Sequence, residues 1–305
     1  MSQRTNFDNV LNAHNMGKQD KNVTPKKKQE EATKDSKQAR RNEMRKECYD
    51  MLDETYHALR TDINKYRQFL NIQSCFESYS TNNNVLIFAQ RPNATRVKDF
   101  DGWSEDELTI RKGVKGIMIL MPRPYEKDGE QRTAYEVKKV FDVSDLKEPP
   151  ISDEVSFDKD MLVRALVNKS PVAIVTKQEN TSTYYSVKDK RIFAKQGMEF
   201  EELFTDIAFA LAHAEMSRGA DTYRIKDNIF QARSVAYILA KKYGVPTKRL
   251  EIVSLPARYE SMDIKDIKEE FGEIHRAVKS ISGRMNEILF GTRDQERKNE
   301  DKGER

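Results

Sequence analysis

Apolar residues at Cys48, Met51, Leu52, Tyr56, Leu59, Ile63, Tyr66 and Phe69 recur at steps of three and four, the spacing that gathers side chains on one face of a helix. The pattern predicts an amphipathic helix opening the first folded domain. A second helix is predicted over 80–91, with Ser80 or Thr81 able to cap its first turn and Pro92 stopping it. Gly113 and Gly116 bracket a turn before the apolar run 116–121, which reads as a strand ended by Pro122. The partly alternating stretch 135–143 reads as its partner strand, across a polar turn at 126–132.

Pro149 and Pro150 interrupt both helix and sheet, so 147–153 is expected to be a linker. Beyond it a short helix is predicted over 160–167, strands over 172–176, 183–187 and 191–194, and helices over 199–217, 227–243 and 262–289, with Gly244 a C-cap of the second of these. The expected fold is α+β in two domains: a helix-plus-small-sheet domain at 47–146 and a mainly helical domain at 154–290. No internal repeat is visible.

Composition narrows this further. Charged residues make up 34% of the 305 positions and hydrophobic ones 37%, and no apolar run approaches the ~20 residues that span a bilayer. The polar N-terminus lacks the basic start and apolar stretch of a secretory signal. Cys48 and Cys75 have no CxxC partner, so neither a disulfide framework nor a thiolate zinc site is encoded. A cytoplasmic protein is expected. The net charge of +4 is unevenly placed, for residues 1–46 hold 12 Lys/Arg against 6 Asp/Glu. With few apolar residues, that segment reads as a disordered basic arm, and 291–305 as a disordered charged tail.

In the first domain Arg91, Arg96, Lys98, Arg111, Lys112, Lys115 and Arg123 are interleaved with Tyr79, Phe88, Phe100, Trp103 and Tyr125. Cations that track a phosphate backbone beside aromatic faces that stack on bases can hold a single strand without reading its sequence. The same residues also suit a plainer arrangement, with Phe88, Phe100 and Trp103 in the core and the cations on a solvated rim. The pairing of Trp103 with Phe100 in a short polar stretch favours core for both, leaving Tyr79 and Tyr125 as the exposed platforms.

The series Ser80, Asn83, Asn84, Leu86, Ile87, Gln90, Pro92, Ala94, Thr95, Val97, Phe100 and Trp103, followed by Lys112, Gly113, Lys115, Gly116, Ile117, Ile119, Leu120 and Pro122, closely resembles the N-terminal domain of ArdC-type antirestriction and LtrC-like proteins of plasmids and conjugative elements. The resemblance implies a single-stranded-DNA-binding module and adds Asn83, Asn84 and Gln90 to the candidate contacts. Leu108 stands where the family carries an Arg, while Arg111 and Lys112 remain.

The second domain resembles that family's metallopeptidase domain. A zincin needs two His one helical turn apart, a Glu beside the first as general base, and a further ligand from another helix. The stretch 209–219, FALAHAEMSRG, is similar to the family's HELAHAELHKG, and 231–237, QARSVAY, to its QAESVAY. Phe209 replaces the first His, Ala210 the catalytic Glu and Arg233 the third ligand, leaving His213 alone. Glu215 lies about 200° around the helix from His213 and cannot face the same ion.

These readings imply a protein that is not an enzyme, with no cofactor and no metal: a single-stranded-DNA-binding accessory protein of a mobile element, in antirestriction or conjugative transfer. Its degenerate zincin-like domain would act as a scaffold or as a platform for a host or element-encoded protein. The alternatives are a divergent active zinc metallopeptidase, or a protein-binding inhibitor of a host defence enzyme.

Overall fold

The structure, a computed structural model, describes residues 25–150, 156–177, 182–220 and 222–291, with side chains from Ser36 onward. Residues 1–24 and 292–305, most of the expected arm and tail, lie outside the described residues. The chain divides into two compact units, Met1–Glu47 and Cys48–Arg305. Where the first unit is described it is helical, because α1 (Pro25–Thr61) begins well ahead of Cys48. This corrects the expectation of disorder over 25–46. Pro25 suits the first helical position, and the Lys, Gln, Glu, Ala and Arg residues that follow are strong helix formers whatever their lack of apolar surface.

The amphipathic pattern that predicted one opening helix resolves into two. Asp62 ends the first and caps the second, its carboxylate accepting from the Asn64 and Lys65 N–H groups at 2.8 and 3.2 Å, so that α2 runs Ile63–Cys75. Ser80 caps α3 (Thr81–Gln90) as expected. After β1 (Val97–Lys98) and the short α4 (Phe100–Glu105) come β2 (Ile117–Lys127) and β3 (Glu130–Asp142), in an antiparallel sheet of order β1-β3-β2.

Strand β2 does not stop at Pro122. It pairs with β3 through Pro122↔Tyr135 and Pro124↔Thr133 to a two-residue turn at Asp128–Gly129, both with positive φ, tighter than the polar loop expected. The prolines are tolerated because β2 is an edge strand. On its free edge the side chains of α3 replace a neighbouring strand. The Asn83 amide donates to the Leu120 carbonyl and accepts from the Leu120 N–H, both at 2.9 Å. Gln90, two turns on, does the same for Met118 at 2.9 and 2.8 Å. Pro122 and Pro124 continue that alternation, so where the helix no longer covers the edge there is no N–H to present.

The second half contains α5 (Lys159–Val167), then β4 (Ala173–Lys177), β5 (Tyr184–Ser186) and β6 (Arg191–Lys195) in order β4-β6-β5. The helices α6 (Phe200–Met216), α7 (Ile229–Lys242) and α8 (Ile264–Leu289) follow. The fold is α+β. The proline-rich stretch at 147–150 does not coincide with a break in packing, however. Tyr56, Tyr66 and Phe69 from α1 and α2 pack against Phe230 and Phe271 with ring centroids 5.0–5.8 Å apart, and Tyr259 in turn packs on both of those rings. The Tyr66 hydroxyl is hydrogen-bonded to the Ser234 hydroxyl at 2.9 Å, fully inside this shared core. No helix among the described residues is long and apolar enough to cross a membrane.

Candidate nucleic-acid interface

Several residues expected to touch DNA hold the fold together. Asn83 and Gln90 are committed to the edge of β2, and Asn84 is fully buried with neither amide atom hydrogen-bonded among the described residues. Arg91 pairs with the buried Asp145 at 3.1 Å. Trp103 is 0% exposed and its indole N–H donates to the Phe141 carbonyl at 2.9 Å, while Arg96 and Lys98 lie 5.3 and 5.6 Å from its ring centroid. Lys98 also pairs with Asp106 at 2.6 Å. Buried Asp142 fixes the backbone of this region. Its burial raises its pKa, but hydrogen bonds from Ser144, Thr95 and Arg96 outweigh that and hold it below the usual carboxylate range.

The remaining candidates are open to solvent. Lys112 and Lys115 are exposed around Gly113, whose φ of +81° favours glycine. Arg111 is exposed but anchored, donating to the Ser144 carbonyl at 2.7 Å. Arg123 and Tyr125 lie on the solvent-exposed ribbon of β2 and β3, Arg123 in a loose pair with Glu136 at 3.9 Å. Phe100, expected in the core beside Trp103, is 65% exposed. Phe100 is the first residue of α4, at the end of the helix, while Trp103 lies one turn further in.

Tyr79 does take part in a site, one whose other members the sequence did not bring together. A cleft of about 760 Å³ is lined by Tyr49 of α1, Tyr79, the first turn of α3, Pro122 and Tyr135, together with Gly272, His275, Arg276 and Lys279 of α8. Tyr49 and Tyr135 are 44% and 45% exposed. Tyr79 is half-buried, edge-on to Phe76. His275 is 8% exposed and its Nδ1 has no hydrogen-bond partner among the described residues. Burial, and then the Lys279 and Arg276 charges, lower its pKa, with nearby Glu77 opposing them. Tyr49 could have been found in the sequence, since it falls out of phase with the apolar stripe beginning at Cys48. Tyr135 required the strand register, and the α8 residues required the tertiary fold.

The resemblance to a metallopeptidase domain implies a metal at the helix carrying His213, and the residues present do not fit one. Phe209 packs edge-on against the His213 ring at 4.7 Å, and Ala210 is buried in the core. The His213 Nδ1 is hydrogen-bonded to the Tyr223 hydroxyl at 2.7 Å. Arg233 points a guanidinium nitrogen at the Glu251 carbonyl, 3.5 Å away. Glu215 pairs with Arg284 at 2.5 Å and accepts from Ser280 at 3.2 Å. Among the described residues no group of three or more His, Cys, Asp or Glu could hold a metal ion. Burial pushes the His213 pKa down to about 4, so the ring is neutral at pH 7.

Residues 42–148 match the family model of the N-terminal domain of anti-restriction factor ArdC. Two solved structures similar to the chain are crystal structures of the antirestriction protein ArdC from plasmid R388. The metal-free form is 17% identical with a TM-score of 0.42, over 71% of this chain and 86% of that one. The Mn(II)-bound form is 15% identical with a TM-score of 0.47, over 69% and 84%. No curated protein matches the chain.

Proposed function

Since residues 42–148 belong to the ArdC N-terminal-domain family, we propose that the protein is a single-stranded-DNA-binding accessory protein of antirestriction or conjugative-transfer type. The observation that carries this reading is the cleft whose lining joins Tyr49, Tyr79 and Tyr135 with Arg276 and Lys279. Exposed aromatic faces beside positive charge hold unpaired bases, each worth roughly 1–3 kcal/mol, in a way that paired and stacked bases of a duplex cannot exploit. Exposed Lys112 and Lys115 extend the positive surface within the matched domain.

A titration of the full chain against single- and double-stranded oligonucleotides across a salt series tests the reading. The full chain is needed because a fragment cut near residue 148 would expose the core that Tyr56 and Tyr66 share with Phe271. The expected result is preference for the single strand, with Lys112→Ala and Lys115→Ala each reducing the magnitude of the salt slope by about 0.7. Equal affinity for both forms, or no binding, rejects it.

In this reading the second half is a catalytically dead relative of a metallopeptidase, a scaffold rather than an enzyme. The support is chemical: the candidate positions offer a phenyl ring, a methyl group and a guanidinium where donors belong. Elemental analysis of protein purified without chelator should find well under one zinc or manganese per chain. Stoichiometric metal that disappears in His213→Ala would show a working site.

A further inference from the structure

We propose that helix α8, in the half of the chain outside the matched domain, binds the phosphates of a single DNA strand through Arg276 and Lys279 while Tyr49 and Tyr135 stack on its bases. The inference rests on the single-strand reading and extends it to residues on the far side of the sequence.

The cleft lining combines the two chemistries that a single strand offers partners for, aromatic faces and cations. Gly272, His275, Arg276 and Lys279 follow one another at helical spacing and present one face of α8 to the cleft. Gly272 adds no side chain to that wall. A Cβ there would meet only the Arg276 guanidinium, at 3.4 Å, so a backbone group can approach. The same cleft is lined by the rings of Tyr49, Tyr79 and Tyr135 and by Pro122.

The positive charge of the α8 residues is only partly neutralised, although Glu273 also lies close enough to Arg276 to feel its charge. Arg276 pairs with Glu269 at 2.9 Å, but both side chains are more than 60% exposed, and such a pair contributes little and exchanges readily. Lys279 forms no ion pair among the described residues. Glu77, the acidic group that acts on His275, is engaged by Lys242 at 2.9 Å. His275 also lines the cleft, where its ring is hydrogen-bonded to the Tyr79 backbone and holds the two parts of the lining together. An anion is what this wall lacks, and a phosphodiester chain supplies one beside each base.

The experiment is fluorescence anisotropy of a labelled oligothymidylate titrated with full-length protein from low to high salt, using the parent, the double variant Arg276→Gln/Lys279→Gln, and Lys112→Ala/Lys115→Ala. Losing two phosphate contacts reduces the magnitude of the salt slope by about 1.4, which from a 1 M reference to 0.1 M salt amounts to about a 25-fold loss of affinity. Tyr49→Ala and Tyr135→Ala, both at exposed positions, should each weaken binding by about 5- to 150-fold with a slope unchanged from the parent. Photocrosslinking of a halogenated-uracil strand should mark Tyr49 or Tyr135.

Four results overturn the proposal. If the parent binds and the Lys112/Lys115 variant weakens it while the α8 variant, folded by circular dichroism, binds like the parent, the single-strand reading stands and the role of α8 falls. The same holds if crosslinks map only to the Lys112–Lys115 turn. Unchanged strand binding together with loss of a protein partner in the α8 variant assigns the cleft to that partner. No binding by the parent removes both readings.

Discussion

Trp103→Ala is expected to lower the stability of the fold by about 3–5 kcal/mol, the range for deleting a large buried aromatic side chain. Trp103 is completely buried and its N–H reaches the Phe141 carbonyl in β3, so the variant leaves both a cavity and an unpaired carbonyl acceptor. Arg96 and Lys98, which lie over the ring, also lose their aromatic partner. Urea denaturation followed by circular dichroism measures the loss. Oligonucleotide binding by the fraction still folded should match the parent, because the indole does not reach the surface. In the parent, whose only tryptophan is Trp103, the fluorescence emission maximum should not shift when DNA is added. A variant of normal stability that has lost binding would instead place the ring on the DNA.

Acidification should destabilise the protein through His213. Its pKa in the folded chain, about 4, lies below the ordinary histidine value of 6.5 that applies when the chain is unfolded. The folded state therefore binds fewer protons between these values, and the stabilisation present above pH 6.5 is lost as the pH falls towards 4. At about 1.4 kcal/mol per unit, His213 alone accounts for about 3 kcal/mol over that window. Burial is the cause, with the ring 2% exposed and its Nε2 without a partner. His213→Gln keeps a group able to bond Tyr223 but does not titrate, so its unfolding free energy should vary less with pH than the parent's. Asp206 and Glu273, whose pKa values burial raises, and His275, whose pKa burial lowers, are common to both proteins and cancel in the comparison. Parallel pH curves for the two proteins would mean that water reaches the His213 ring.

Much of the candidate site was only half legible in the sequence. The interleaved cations and aromatics of 79–125 marked a region, but not which of its members face solvent. Trp103 and Phe100 are three residues apart with similar propensity for burial, yet the first is completely buried and the second, at the start of α4, is 65% exposed. Asn83 and Gln90 belong to the series that carries the ArdC resemblance, and the structure spends them on the edge of β2. Nothing in the local sequence distinguishes an amide that meets a base from one that meets a strand.

What the sequence by itself determined was local. Apolar spacing placed α3 and the helices of the second half, and Ser80 and Gly244 marked ends. Each of these depends on neighbours within about one helical turn, where covalent geometry fixes the distances. The tertiary structure decided which strand would be an edge, and hence that β2 could continue through Pro122 and Pro124. It also brought Tyr66 against Phe230 and Ser234, and Tyr79 beside His275, Arg276 and Lys279. Those contacts join residues far apart in the chain, chosen by the burial of apolar surface that is favourable wherever shapes fit. Because that force is non-directional, the residues alone do not say which will meet.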